Sequence, residues 1–356
     1  DLTTITATAE QVCEGKYITF TATGGTGASD AIVWSETGCP QIAYINDFHQ
    51  FDYSLNQTQG ASVNSSGNLV VTSTDGDPMI TMYNLGSFNP DTYKYFQIRY
   101  RVTSGTANEV EIFFTNAQSA TADADQRIYG NLISDGEWHT LTIDASTHSL
   151  WTHSNITGWR YDYCTNSGVT MEIDFIALTN APASGNTYTM SNLSQGTHTV
   201  YANRLSSCNS DPCITKQVST YPEFNPGEIN TTGQEICEGG TANTIGISTS
   251  ASGGDGNISY QWYVNGIAIS EATSASYTPS STYTSVAGTY TFTRQAKAGS
   301  CSDWQTSNGS YKLIVNKAEV TLNDMSPVAI CKGESTRLEA TLNGTPTGSV
   351  SYQWTP

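Results

Sequence analysis

A short cysteine-centred pattern occurs three times in the chain and constrains its fold more than any other feature. The pattern reads VCEG at 12–15, ICEG at 236–239 and ICKG at 330–333. After each copy, apolar and polar residues alternate along short segments, and a tryptophan follows. Self-similarity of this kind indicates an internal repeat of one structural unit.

The repeated unit has the features of an immunoglobulin-like (Ig-like) β-sandwich. A cysteine opens one predicted strand, and Trp34, Trp262 or Trp354 lies on a later strand. Period-two alternation with a glycine-rich turn is typical of two packed sheets, with the indole against a disulfide between them. In the second copy, Cys301 precedes the final predicted strand, so we expect a Cys237–Cys301 disulfide.

Composition agrees with an all-β chain. Only 13% of the 356 residues are charged, whereas 31 are Gly and 20 are Tyr, a balance that favours strands and turns over helices. The net charge of −18 repels phosphate backbones and anionic membranes, so nucleic acid is not an expected partner. No apolar run approaches the roughly 20 residues that span a bilayer, so we expect no membrane insertion.

The first copy of the repeat is interrupted. It follows the pattern to Cys39 and resumes near Gly185, and short predicted strands separated by turn signals fill the interval. Seven or eight strands in one block predict a jelly-roll sandwich. The predicted order is Ig-like domain 1 in two parts (1–41 and 180–221) around an inserted jelly roll (42–179), then Ig-like domain 2 (222–317) and a truncated Ig-like domain 3 (318–356).

The cysteine motifs of the first copy resemble those of Ig-like repeats in large secreted surface proteins, adhesins among them, of gliding and polysaccharide-degrading bacteria. WSETGC at 34–39 matches a "W..GC" hairpin of those repeats, and CNSDPC at 208–213 matches a cysteine pair before their final strand. The disulfides that this resemblance implies are Cys13–Cys213 and Cys39–Cys208. Cys164 is then left over.

The alternative for these cysteines is a set of buried thiols or a metal site. Zinc sites use close Cys-x2-4-Cys pairs, and Cys208 and Cys213 are slightly too far apart, with no second pair nearby. Disulfides are the better interpretation, and they place the protein in an oxidising compartment, secreted or attached to a cell surface.

The insert resembles the galactose-binding-like jelly rolls that serve as carbohydrate-binding modules in secreted bacterial proteins. The matching segments are DP at 77–78, YKYFQIRYRV at 93–102, DGEWHTLTID at 135–144, WTHSNITGWRYD at 151–162 and GVTMEIDFIAL at 168–178. This resemblance implies the fold and suggests glycan or cell-surface polysaccharide as a partner, although members of the family differ in function.

Strand parity predicts which side chains of the insert face outward and which face the core, the latter being Phe96, Ile98, Tyr100, Val102, Val110, Ile112, Phe114, Trp159 and Tyr161. If the outward sets share one sheet, they form a ligand face, because sugars stack on aromatic rings and bind planar polar groups. The alternative is that these charges simply pair on a solvated sheet. The predicted face consists of Gln97, Arg99, Arg101, Glu111, Phe113, Trp138, Arg160 and Asp162.

Asp174 shares strand parity with the apolar Ile176 and Leu178 and is therefore predicted to point inward. A buried carboxylate needs a cation or several donors. One interpretation is a structural Ca²⁺ site formed by Asp174 with Asp47 or Asp52. The alternative is a salt bridge to an arginine of the insert. No cofactor is otherwise required.

Catalytic patterns are weak. The histidines show no metal-ligand spacing, and no nucleophile motif or phosphate-binding loop is present. Paired carboxylates, Glu111 with Asp162 or Glu172 with Asp174, are the one enzymatic arrangement to consider. We therefore predict a non-catalytic, adhesin-like extracellular protein whose Ig-like domains display a glycan-binding jelly roll. The alternatives are a structural subunit of a surface fibre and a non-catalytic region of a polysaccharide-active enzyme.

Overall fold

The computed structural model describes the chain apart from residues 1, 26–27, 47, 49–53, 57, 83–84, 206–212, 318, 324–328, 344–348 and 356. The fold is all-β, as predicted, with Ig-like sandwiches in tandem and a jelly roll inserted into the first. Two compact units result: Asp1–Gln11, Lys16–Leu193 and Thr197–Ser219 form the first, and Val12–Gly15, Ser194–Gly196 and Thr220–Pro356 form the second. The predicted boundaries at 221/222 and 317/318 remain predictions.

The first unit contains strands β1 to β19. The strands before the insert are β1 (Thr4–Ala7), β2 (Gln11–Val12), β3 (Ile18–Thr23) and β4 (Ile32–Ser35). Those of the insert are β5 (Ile42–Asn46), β6 (Ser54–Asn56), β7 (Thr58–Val63), β8 (Leu69–Ser73), β9 (Met79–Met82), β10 (Tyr95–Ser104), β11 (Glu109–Thr115), β12 (Arg127–Asn131), β13 (His139–Asp144), β14 (Gly158–Asp162) and β15 (Thr170–Thr179). Short 3-10 helices span Ala124–Gln126, Ala145–Thr147 and Trp151–His153. The strands after the insert are β16 (Ala183–Ser184), β17 (Thr187–Met190), β18 (Thr197–Arg204) and β19 (Ile214–Thr220).

The Ig-like part of the first unit combines strands from both sides of the insert. One sheet has the order β1-β3-β17 and the other β16-β4-β18-β19-β2. Trp34 lies in its core with 3% of its surface exposed. Its ring stacks on Tyr188 with centroids 5.6 Å apart, and its Nε1 donates to the Gly185 carbonyl at 3.1 Å. The indole of Trp34 thus packs on an aromatic ring.

The insert is a sandwich of two antiparallel sheets. Sheet 1 has the order β13-β10-β15-β8-β7 with β5 also paired to β15, and sheet 2 has the order β12-β11-β14-β9-β6. Alternate residues of their strands meet in one core, where the burial of apolar surface stabilises the fold. The predicted inward parity of β10, β11 and β14 is confirmed by the buried Phe96, Ile98, Tyr100, Val102, Val110, Ile112, Phe114, Trp159 and Tyr161.

The chain enters and leaves the insert at adjacent positions. Ile42 of β5 lies opposite Thr179 of β15. Just outside this pair, the Asn180 N–H donates to the Gln41 carbonyl at 3.1 Å, and the Gln41 N–H donates to Asn180 Oδ1 at 2.7 Å. These bonds close the neck of the insert.

The predicted disulfide pairings are wrong. Cys13 is bonded to Cys301, with a Cα–Cα distance of 4.9 Å, and Cys39 to Cys213, with a Cα–Cα distance of 5.8 Å. The predicted Cys13–Cys213, Cys39–Cys208 and Cys237–Cys301 pairs are therefore excluded; Cys208 itself lies outside the described residues. Cys237 is exposed, and a cysteine at the surface cannot bridge two sheets through a core.

Cys164, which the sequence left without a role, is buried in the insert. Its Sγ donates to the Asn166 carbonyl at 3.3 Å, and burial raises the pKa of its thiol. Both features describe an inert core residue rather than a reactive one.

The second unit contains a second sandwich. Its strands are β20 (Glu228–Ile229), β21 (Gln234–Cys237), β22 (Ile247–Thr249), β23 (Ile258–Val264), β24 (Ile267–Ala268), β25 (Gly288–Ala298), β26 (Gln305–Thr306) and β27 (Tyr311–Asn316), and its helix α1 spans Ser281–Thr284. Strands β20 and β22 form one sheet, and β21-β27-β25-β23-β24 form the other, with β26 on β25. Trp262 is fully buried and packs on Tyr277 with centroids 5.8 Å apart.

A hairpin of β28 (Glu319–Asn323) and β29 (Glu339–Asn343) follows, where the truncated third domain was predicted. Val320 and Leu322 are about half exposed on it, at 56% and 49%. Across the described part of the chain, no helix combines the length and apolarity that a membrane crossing requires.

Arg294 is fully buried in the second sandwich, and carbonyl and hydroxyl oxygens bind its guanidinium. Nε donates to Ser307 Oγ at 3.0 Å, Nη1 to the Ala275 carbonyl at 2.7 Å and Nη2 to the Pro226 carbonyl at 3.2 Å. The ring of Tyr260 lies 4.7 Å from the guanidinium carbon. Burial lowers the pKa of Arg294.

We expect Arg294→Lys to lower the free energy of unfolding by about 2 kcal/mol, because one ammonium cannot reach three oxygens held by a planar fork. Chemical denaturation measures this loss. Lys297→Arg, at a half-buried position of the same strand, is the control and should change stability little. An unchanged midpoint in Arg294→Lys would show that the three hydrogen bonds do not stabilise this sandwich.

Candidate functional site

The eight residues predicted to form one ligand face lie on two sheets. Gln97, Arg99 and Arg101 belong to β10 in sheet 1, and Trp138 directly precedes β13 of the same sheet. Glu111 and Phe113 of β11 and Arg160 and Asp162 of β14 belong to sheet 2. The outer faces of a sandwich point in opposite directions, so the prediction of a single face is wrong.

The outer face of sheet 1 is covered by the Ig-like part of the same unit. Phe175 and Ala177 of β15 are 2% and 0% exposed, and they pack with Ala31, Val33 and Leu205 of the Ig-like part. This outer face is therefore an internal contact of the first unit at these positions, not a free surface.

Gln97 lies fully buried within this contact. Its Nε2 donates to Thr179 Oγ1 and to the Ala181 carbonyl, both at 3.2 Å, and its Oε1 accepts from Thr142 Oγ1 at 2.5 Å. All of its hydrogen-bonding groups have partners within the protein. Gln97 holds the insert in place and is not available to a ligand.

Arg99 also joins the insert to the Ig-like part. Its Nε donates to Asp30 Oδ1 at 3.1 Å and its Nη1 to Asp174 Oδ2 at 2.8 Å. Thr140 Oγ1 donates to the second oxygen of Asp30 at 3.0 Å. With 13% of its side chain exposed, Arg99 has a structural role.

Asp174 points outward, contrary to the prediction from parity. Arg99 lies opposite Phe175 while Tyr100 lies opposite Ile173, so Asp174 is the additional residue of a β-bulge. A bulge shifts the alternation by one residue, and this shift placed Asp174 on the wrong face in the prediction.

The surroundings of Asp174 do not fit a calcium site. The Arg99 guanidinium 2.8 Å away would repel a cation, and the alternative, a salt bridge to an arginine of the insert, is present. The other two predicted ligands, Asp47 and Asp52, lie outside the described residues. Among the residues that are described, no group of three His, Cys, Asp or Glu is arranged to hold a metal.

Trp138 is half-buried between two arginines. The guanidinium carbons of Arg99 and Arg101 lie 4.5 Å and 5.1 Å from its ring centroid. Arg101 also donates to Glu172 Oε2 at 2.8 Å. Cations already occupy the ring of Trp138, so it offers little surface for stacking a ligand.

The outer face of sheet 2 carries the other four predicted residues together with two that the sequence did not reveal. We call Glu111, Phe113, Arg127, Tyr129, Arg160 and Asp162 the open face. Glu111 lies opposite Tyr129 on one side and Asp162 on the other, and Phe113 lies between Arg127 and Arg160. Tyr129 is 59% exposed, which makes it the prominent ring of this surface.

Arg127 and Tyr129 were missed because β12 was not recognised as a strand. It is short, contains Gly130 and follows a polar stretch, so strand propensity is low. The one signal in the sequence was the apolar Ile128 between Arg127 and Tyr129, a short form of the period-two pattern of an edge strand. In the structure Ile128 is buried and both neighbours are exposed.

Charged pairs order the open face. Arg160 Nε donates to Asp162 Oδ1 at 2.6 Å, and its Nη2 contacts both Asp162 Oδ2 and Asp77 Oδ1. The guanidinium also lies 4.7 Å from the Phe113 ring centroid. Arg127 pairs with Glu111 and lies 5.9 Å from the Tyr129 ring.

Asp162 is the least accessible carboxylate of the open face, with 1% of its side chain exposed. Burial raises its pKa from 3.8 to about 7, and nearby Asp77 adds to this rise while the Arg160 hydrogen bonds oppose it. Its two oxygens bind Arg160, so Asp162 positions that guanidinium.

Solved structures of three kinds match this chain at low sequence identity. A family 29 carbohydrate-binding module, bound to cellulohexaose, is 12% identical over 42% of this chain and 93% of its own, with a TM-score of 0.30. Fibronectin(III)-like modules of Clostridium thermocellum CbhA are 10% identical over 88% of this chain and 95% of theirs, with a TM-score of 0.23. The glycoside hydrolase domain of Endo-D from Streptococcus pneumoniae is 11% identical over 72% of this chain and 36% of its own, with a TM-score of 0.25.

At these TM-scores, neither a fold assignment nor a residue role is transferred from these proteins. No protein-family model matches the sequence, and no curated protein sequence matches it either.

Proposed function

We propose that this is a non-catalytic extracellular protein in which Ig-like domains carry a jelly roll that binds glycans through its open face, as an adhesin does. The observation that supports the proposal is the open face itself. It combines the exposed ring of Tyr129 with guanidinium and carboxylate groups held in fixed positions by one another. A sugar offers C–H groups to a ring and hydroxyls to planar polar groups.

The Ig-like part covers the outer face of sheet 1, which favours the outer face of sheet 2 as the ligand-binding surface. Phe175, Ala177 and Gln97 of sheet 1 are buried against the Ig-like part or its flanking segment. On the side of sheet 2, the residue Tyr129 is 59% exposed and the Arg127 side chain 43% exposed. The side chain of Asp77, which precedes β9, is 52% exposed. A ligand therefore reaches the second sheet without displacing a protein contact.

The extracellular location is supported by the two disulfides. Such bonds persist in oxidising compartments and are rare in the cytosol. The surplus of 32 acidic over 14 basic residues suits a soluble surface and disfavours polyanionic partners.

A second candidate function, glycoside hydrolysis, is favoured by one observation. Glu111 and Asp162 lie directly opposite each other on neighbouring strands, and a carboxyl with a pKa of about 7 has the acidity of a general acid. Against it, Asp162 is 1% exposed and bound through both oxygens to Arg160, so a glycosidic oxygen cannot approach it. Release of reducing sugar from a polysaccharide panel, abolished in Asp162→Asn, would favour hydrolysis over binding.

Binding is tested with a glycan array and then by titration calorimetry on the strongest hit. We expect Tyr129→Ala to weaken glycan affinity about tenfold, which corresponds to about 1.4 kcal/mol for one lost aromatic contact. Tyr17→Ala is the matched control, because Tyr17 is 66% exposed but lies in the Ig-like part. Trp138→Ala, whose ring is occupied by two arginines, should also retain binding.

Equal losses in Tyr129→Ala and Tyr17→Ala would contradict the open face as the site. A wild-type chain that binds nothing on a broad array of plant, algal and bacterial polysaccharides would contradict glycan binding altogether.

A further inference from the structure

A groove opens at one side of the jelly roll, where the edge strands of its two sheets lie next to each other. Strand β12 ends sheet 2 and β13 ends sheet 1. The groove between them has a volume of about 440 Å³ and is lined by residues of both strands and of the 3-10 helix after β13. This volume falls within the range of small-ligand sites, roughly 300–1,000 Å³.

Gly130 allows the two edge strands to come this close. A Cβ at this position would lie 3.0 Å from Leu141 Cδ2 and 3.1 Å from Ile143 Cγ1, which is tighter than ordinary van der Waals contact. Because no side chain stands at 130, backbone lines one wall of the groove. Edge strands also present N–H and C=O groups that no neighbouring strand pairs.

The polar groups of the groove suit a hydroxyl. His148 Nδ1 accepts the Leu150 N–H at 3.2 Å, so the ring proton is on Nε2, which is a donor. Asp144 Oδ1 accepts from the Ser146 N–H at 2.9 Å and from Ser146 Oγ at 2.6 Å. Within the described residues, His148 Nε2, Asp144 Oδ2 and the Tyr129 hydroxyl have no hydrogen-bond partner.

His148 Nε2 is a hydrogen-bond donor, Asp144 Oδ2 is an acceptor, and the Tyr129 hydroxyl can donate and accept. A sugar hydroxyl donates and accepts at the same time, so it can use all three kinds. Apolar contact is available from Ile128 and Ile143, which are 5% and 7% exposed, and from the Tyr129 ring at the rim.

Charge indicates which sugars fit. The Arg127 guanidinium at the rim is paired with Glu111, and Asp144 adds a negative charge to the lining. No unpaired cation in the described lining can receive the carboxylate of an acidic sugar, and Asp144 would repel it.

We propose that this groove is a binding site for one neutral sugar unit, and that a glycan chain on the open face continues into it past Tyr129. The inference rests on the proposed glycan-binding function, because Tyr129 belongs to both surfaces. It adds the class of ligand, an uncharged oligosaccharide, and a second contact region on β13 and the helix that follows.

Thr147→Trp tests the groove by filling it. Thr147 is an exposed lining residue, and Ser149, two residues later, is exposed but does not line the groove, so Ser149→Trp is the matched control. The probes are cellohexaose, mannohexaose and xylohexaose, with hexagalacturonic acid as an acidic sugar of equal length. We expect Thr147→Trp to weaken the best neutral hexasaccharide about tenfold, Ser149→Trp to leave it unchanged, and the acidic sugar to bind more weakly than the neutral ones.

Asp144→Asn is a second, conservative variant that keeps Oδ1 as the acceptor for Ser146 and replaces the free acceptor by an amide donor. It should weaken the same hexasaccharide several-fold while the unfolding temperature stays close to that of the wild type. If binding depends on Tyr129 but not on Thr147 or Asp144, the groove proposal fails and the open face stands. Tighter binding of hexagalacturonic acid would overturn the ligand class, and a chain that binds no glycan would overturn both proposals.

Discussion

Replacing both Cys39 and Cys213 with serine is expected to lower the free energy of unfolding by about 5 kcal/mol, by the loop-entropy relation for disulfides. The bond joins residues separated by 174 positions, and that loop contains the whole insert. Without the bond, the unfolded chain gains the conformational entropy that closure of this long loop had removed. The free energy of unfolding falls by the corresponding amount. Guanidinium denaturation followed by tryptophan fluorescence measures the shift.

Cys331→Ser is the control for this double substitution. Cys331 is exposed, so its replacement should change stability by no more than about 0.5 kcal/mol. A reducing agent should destabilise the wild type and the control equally and leave the stability of the double variant less affected. Equal unfolding midpoints for wild type and double variant would show that the Cys39–Cys213 bond does not contribute to stability.

Asp162→Asn is expected to remove a large part of the pH dependence of stability between about pH 4 and pH 7. Burial raises the pKa of this carboxyl from 3.8 to about 7. Over that interval the folded protein keeps a proton that the unfolded chain has released, so stability falls as pH rises. The change in pKa corresponds to a fall of about 4 kcal/mol in the free energy of unfolding between the two ends of the interval.

Denaturation at a series of pH values between 4 and 8 checks this expectation. Asp91→Asn, which alters an exposed carboxylate of the same insert, should keep the wild-type profile. In Asp162→Asn the fall in stability with rising pH should shrink, since asparagine does not titrate. A variant profile parallel to that of the wild type would mean that Asp162 is ionised throughout and that its raised pKa is wrong.

Local pattern was sufficient to predict which way side chains point. Alternation along β10 and β11 correctly placed Phe96, Ile98, Val110 and Ile112 in the core. Parity depends only on the pleat of one strand, and it fails only where the pleat is interrupted, as at the bulge of Asp174.

The sequence did not predict which distant strands pair or which distant cysteines bond. Whether Arg99 and Arg160 share a sheet depends on which strands become neighbours, and these residues are 61 positions apart in the chain. The same limit explains the disulfides. The resemblance to Ig-like repeats implied two pairs and the strand order of the second copy a third, whereas bonding follows Cα distances such as the 4.9 Å between Cys13 and Cys301. Arg127 and Tyr129 joined the site because a weak edge strand paired with β11.

The closed neck of the insert makes the jelly roll exchangeable. Gln41 and Asn180 are already hydrogen-bonded across it, so a turn of a few residues would reconnect the surrounding sandwich after deletion of everything between them. Segments whose ends lie together can be removed or replaced without rearranging the domain that carries them. Evolution could therefore replace the whole jelly roll, and the open face with it, while the surrounding sandwich and its Cys39–Cys213 bond stay unchanged.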